Sequence, residues 1–177
     1  GGNVTDEVIN GIMKQGINQF KTVMQNLKDT GTLTGVKDSY DALQETATSI
    51  TDESALLQSN ITSHNNLINE LNPRFTERDR LYNLMESARI NDTRDPTADT
   101  RKVLNDAIIA YNNYSKQLND DYYNNYQSKI NDYKNKIDAS NIKIKDLETT
   151  YADEESNLYN ESGQLDEAVA PIYSVAE

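Results

Sequence analysis

From Val36 to Leu71, steps of alternately four and three residues land on Val36, Tyr40, Leu43, Ala47, Ile50, Ser54, Leu57, Ile61, His64, Ile68 and Leu71, of which only Ser54 and His64 break the apolar run. A 3.5-residue apolar repeat sustained over this length, with no internal Gly or Pro, specifies an α-helix whose narrow stripe is buried against another helix. Such a stripe cannot stand alone in water. The first question is therefore where its partner lies.

A second run answers it. Ile130, Ile137, Ile144, Tyr151, Leu158 and Leu165 recur every seven residues, with Tyr133 and Leu147 at companion positions. If two arms fold back on each other, paired positions add to a constant. Val36 with Tyr151, Leu43 with Ile144, Ile50 with Ile137 and Leu57 with Ile130 all add to 187, as do Tyr40 with Leu147, Ser54 with Tyr133 and Ile61 with Tyr126. Half of that constant falls inside Asn91-Asp92-Thr93-Arg94-Asp95-Pro96-Thr97, the densest turn signal in the chain, where Asp95 is the expected cap and Pro96 the first helical residue. Nearer the tip the constant becomes 186, as in Ile68 with Leu118, Phe75 with Tyr111 and Tyr82 with Leu104. The second arm thus carries one extra residue between Leu118 and Ile130. It is expected to be absorbed by local unwinding or a π-bulge near Tyr122 to Tyr126.

Two segments flank this core. Val4 to Leu27 carries a wide apolar face, with Thr5 able to cap it and Asp6 and Glu7 suited to a helix N-terminus. A face so wide wants more than one neighbour, which places the helix beside the base of the arms in a short three-helix bundle. Residues 29–35, with Gly31 and Gly35, form the expected turn. Pro73 allows either a kink or a stop and restart capped by Asn72. Glu154 interrupts the second stripe and reads as the bundle end. Gly163 and Pro171 place Leu165 in a tail.

The expected fold is therefore all-α: a long antiparallel coiled-coil helical hairpin with a short N-terminal helix packed at its base. Residues 1–35 form the helix and turn, and 36–162 the hairpin, with arms 36–90 and 97–162 and tip 91–96; residues 163–177 form the C-terminal tail. Arms of this length project roughly 80 Å.

Composition narrows the function classes. A hydrophobic fraction of 36 %, without Trp, suits narrow seams better than a thick core. The net charge of −12 opposes binding to nucleic-acid phosphates or anionic lipid. Without cysteine there is neither a disulfide framework nor a thiolate metal site. Nothing approaches the run of roughly 18 apolar residues that a membrane span needs, so no direct membrane insertion is expected. The sequons beginning at Asn3, Asn60, Asn91, Asn113 and Asn160 are no more than a chain this rich in Asn, Ser and Thr supplies. The Gly1-Gly2-Asn3 start is similar to maturation junctions in the structural polyproteins of some large DNA viruses, and equally to an expression scar. A start without Met is thus expected of a processed or trimmed product, or of an expression scar.

No nucleophile triad, phosphate loop or metal motif can be assembled, so neither enzyme chemistry nor a cofactor is expected. His64, the lone histidine, faces Tyr122 or Tyr123 in the 187 register and reads as a polar heptad position rather than a pH switch. Asp92, Asp95, Asp99, Asp120 and Asp121 lack the alternating ligands and glycine bend of a calcium loop, and read as caps and solubilising charge. Tyrosines interleaved with Asn from Tyr111 to Tyr133 suit a recognition surface. Seam filling accounts for Tyr111, Tyr122, Tyr126 and Tyr133, and leaves Tyr114 and Tyr123 on the flanks. Together with Arg94 and Asp95 at the tip, these two are the candidate protein-contact residues.

The leading functional expectation is a structural or assembly protein of a virion, phage or surface particle, its hairpin acting as a spacer or packing against other subunits, copies of itself included. The alternative is an exported adhesin or tip-type effector that binds a host protein through the hairpin end. Virion or cell-surface localisation follows from either.

Overall fold

A computed structural model describes residues 5–176, with side chains through Ile172; the Gly-Gly start, Val4 and the Asn3 sequon lie outside the described residues. The protein is all-α: among the described residues every regular element is helical. Helix α1 covers Asp6–Thr30, α2 Thr32–Arg94, α3 Ala98–Asp121 and α4 Gln127–Ala176, with a π turn, Tyr122–Tyr126, between the last two. By contact density the chain divides into two units, residues 1–52 with 143–177, and residues 53–142.

In the first unit α1 starts as its sequence demands. The Thr5 hydroxyl accepts from the Val8 N–H at 3.3 Å, and Asp6 and Glu7 occupy the first turn. It stops at Gly31, whose φ of 66° turns its N–H back onto the carbonyls of Leu27 and Lys28. The turn expected over 29–35 shrinks to this one residue, because α2 resumes at Thr32. Gly35 lies inside α2 and serves close approach instead: a Cβ there would sit 2.7 Å from Oε2 of Glu161 on α4. Nor does α4 end at Gly163. A glycine costs a helix only about 1 kcal/mol, and half-burial of Leu165, Ala168, Val169 and Ile172 accompanies the helix through Pro171 to Ala176.

Pro73 likewise stays within α2. It removes the N–H that would have bonded the Asn69 carbonyl, but both positions are exposed, so water can take that carbonyl.

The second unit is a two-helix hairpin closed by Asp95, Pro96 and Thr97. The cap of α3 is Thr97, one turn signal later than the Asp95 expected. Thr97 and Thr100 form a reciprocal capping box, the Thr100 N–H donating to Thr97 Oγ1 at 3.1 Å and the Thr97 N–H to Thr100 Oγ1 at 2.9 Å. Asp95 precedes a proline and is thereby biased toward extended backbone, which leaves the capping geometry to the following threonine.

The register differs from the sequence expectation by about one heptad. Glu53 bonds Ser140 and Asp92 bonds Arg101, and each pair adds to 193; the Tyr82 and Tyr111 rings, 5.6 Å apart, do the same. Half of 193 falls between Pro96 and Thr97, the centre of the observed turn. An apolar pattern that repeats every seven residues is unchanged by a slip of seven, so hydrophobicity alone cannot tell 186, the constant expected near the tip, from 193. What distinguishes the two is polar. The buried seam of α2 includes Thr46, Glu53 and Asp92, whereas Tyr40, Ser54 and Tyr82, taken from the sequence as inward positions, are exposed. In this register position 64 is level with Lys129 rather than with Tyr122 or Tyr123.

The expected extra residue is present. The Gln127 N–H reaches back to the Tyr122 carbonyl, the five-residue step of a π turn, and the turn spans Tyr122–Tyr126. At 100° per residue, Leu118 and Ile130 would point about 120° apart on an unbroken α-helix. Instead both are buried in one cluster with Leu71, flanked by Leu67, Ile68, Phe75, Tyr114, Tyr122 and Tyr126. The π turn is what aligns them.

Candidate interaction surfaces

The tip is held by one carboxylate. Asp92, 9 % exposed, accepts from Thr100 Oγ1 at 3.0 Å and from Arg101 Nε at 3.2 Å. The Asp95 carbonyl lies 3.0 Å from Thr100 Oγ1 as well and shares that hydroxyl's single proton with Asp92, and the Asp95 N–H donates to the Asn91 carbonyl at 3.0 Å. These bonds leave the side chains of Arg94 and Asp95 exposed at the turn. Arg94 lines a shallow depression of about 330 Å³ with Arg89, Ile90 and Thr93. Asp92 is a bonding partner as well as a solubilising charge, and its signal in the sequence is the Thr-x-x-Thr box followed by Arg101.

The two candidate tyrosines have separate environments. Tyr114 is half-buried and packs on the Leu71, Leu118 and Ile130 cluster, while Tyr123 is 65 % exposed, edge-on to Tyr122 with ring centroids 5.4 Å apart. Beside them Arg74 reaches across to Asp121 at 2.6 Å, and the Tyr126 hydroxyl donates to Glu70 at 3.2 Å. The Asp121 hydrogen bond holds the Arg74 guanidinium above its usual value, against the opposing effect of burial. Asp120 pairs with Lys116 at 3.1 Å and Asp99 sits in the first turn of α3, so each acid of the expected capping set other than Asp95 has a side-chain partner or a helix-start role.

In the first unit, the Thr46 hydroxyl donates to the Glu154 carboxylate at 2.9 Å. Glu154 is thus a working seam position rather than the bundle end. Seven of the exposed large apolar side chains lie on α1. Packing at the base buries only Val23 and Leu27. Val8, Ile9, Ile12, Met13, Ile17, Phe20 and Met24 are 41–59 % exposed, as is Leu33 just beyond the turn. The three-helix bundle expected to cover this face covers only its C-terminal part. There, Phe20, Met24, Leu27 and Leu33 line an open groove of about 670 Å³.

No family model, curated protein or solved structure matches the chain.

Proposed function

We propose that this chain is a structural or assembly protein of a virion, phage or surface particle, with its helical hairpin as a spacer or subunit-packing element. The observation that carries the reading is the apolar stripe of α1. Seven large side chains on one helix stay about half exposed, while the buried polar groups of Thr46, Glu53 and Ser140 on the hairpin arms find their partners within the chain. Contiguous apolar surface of this kind marks an interaction site, and helices that need no pocket chemistry suit spacing and packing. Sedimentation of the purified chain at rising concentration tests it. Ordered, concentration-dependent oligomers are expected; a chain that stays monomeric and fails to enter any particle contradicts the reading.

The tip supports a second reading, an exported adhesin or effector. Asp92 stiffens the turn that presents Arg94 and Asp95. In that case cell-surface binding by a monomer is lost on substituting Arg94 and Asp95, and oligomers are absent.

A further inference from the structure

We infer that the exposed face of α1 is a self-association surface, on which a second copy of α1 lies antiparallel about a two-fold axis near Ile17. The inference rests on the assembly reading above and names the surface and the occupant.

Three observations on α1 lead there. The first is area. Val8, Ile12, Met13, Ile17, Phe20 and Met24 are 41–59 % exposed; with Ile9 and Leu33, half-exposed side chains of this size amount to about 700 Å² per copy. Complete burial of these side chains on two copies would remove at most about 1,400 Å² from water, inside the roughly 1,200–2,000 Å² of stable interfaces.

The second is charge. Asp6 and Glu7 sit at the start of α1, while Lys14, Lys21 and Lys28 recur at seven-residue intervals. A parallel pair would set acid on acid and lysine on lysine. An antiparallel pair centred on Ile17 brings Asp6 level with Lys28 of the other copy. Counting Asp29, the helix carries equal numbers of acidic and basic residues on a chain of net charge −12. It is therefore a surface on which two copies can approach without strong repulsion. The same overall charge disfavours an anionic membrane as the occupant.

The third is shape. The groove lined by Phe20, Met24, Leu27 and Leu33 lies at the C-terminal end of α1. The antiparallel arrangement delivers to it the apolar N-terminal end of the partner, because Ile9 becomes level with Gln25 and Met24. Each copy fills the groove of the other, as an isologous interface requires.

The chain has no cysteine, so single cysteines report the geometry in the full-length protein. Under oxidation Ile17→Cys is expected to cross-link to itself. Ile9→Cys alone is not, since antiparallel copies hold those positions about 24 Å apart, whereas Ile9→Cys mixed with Met24→Cys is. Ile17→Asp, at an exposed position, is expected to raise the dimer Kd at least about tenfold with helicity unchanged. Lys28→Glu is expected to weaken the dimer, and adding Asp6→Lys and Glu7→Lys to restore it. Self-cross-linking of Ile9→Cys overturns the proposal. So does binding of the monomer to phosphatidylserine vesicles that is lost in Ile17→Asp. Oligomers unaffected by Ile17→Asp overturn this surface but leave the assembly reading standing; a monomer at every concentration overturns both.

Discussion

Deleting Asn124, an exposed residue within the π turn, should leave the hairpin intact. Leu118 and Ile130 would then be eleven residues apart, about 20° on an ideal helix, and both would still meet Leu71 with no π turn. The deletion should change stability by no more than about 1 kcal/mol. Deleting Asn112, equally exposed but within α3, is the matched control. Its least costly accommodation is to straighten the π turn, which rotates residues 113–121 by about 100° and withdraws Leu118, 1 % exposed, from Leu71. Truncating a leucine so placed costs roughly 2–5 kcal/mol, and the Arg74–Asp121 pair is lost with it. At about 2–4 °C per kcal/mol for a chain of this size, the control should melt roughly 4–20 °C lower. Thermal unfolding followed by circular dichroism at 222 nm separates the two. Equal losses for both deletions, or equal tolerance, would refute the argument that the turn exists to absorb one residue.

Other outcomes follow from single contacts. Asp92→Ala removes the carboxylate that Arg101 pairs with and leaves Thr100 only the Asp95 carbonyl among its partners across the turn. With Arg101 largely exposed, the cost is about 1–2 kcal/mol, or a melting point roughly 2–8 °C lower; an unchanged melting point would show that the tip needs no such bond. Gly35→Ala should be neutral or stabilising by up to about 1 kcal/mol, because the obstructing group is the mobile end of Glu161; a clear loss on thermal melting would mean that Glu161 cannot move. The hydrogen bond from Arg80 depresses the Glu77 carboxyl below its usual value of 4.5. Its small contribution is therefore present above about pH 4.5 and lost as pH falls through the depressed value. A Glu77→Gln variant should lack that part of the acid dependence of unfolding, and identical pH profiles would contradict it.

Much of this architecture is legible because it depends on local chemistry. Thr5 and Gly31 act through their own side chain or lack of one. The twelve residues from Leu118 to Ile130, against eleven from Leu57 to Ile68, forecast the π turn by counting alone. Register was not legible, because heptads repeat and the apolar positions carry no address. Glu53 with Ser140 and Asp92 with Arg101 carry it, and an apolar tally treats such residues as outside the seam. Gly163 was misread as an end because the side chains half-buried around it, from Leu165 to Ile172, act through tertiary packing. As for the sites, exposure of Arg94 and Asp95 followed from the turn and that of Tyr123 from its flank position. How much of the α1 face stays open depends on how far the base helices reach, which no residue of α1 records.

The most direct test of the central claim, that buried polar pairs set the register, is cross-linking across the hairpin with a short bis-thiol reagent. Glu53→Cys with Ser140→Cys is predicted to couple in high yield. Glu53→Cys with Tyr133→Cys lies one heptad away, about 10 Å along the axis, and should not. Efficient coupling of Glu53→Cys to Tyr133→Cys, with failure at Ser140→Cys, would contradict the account.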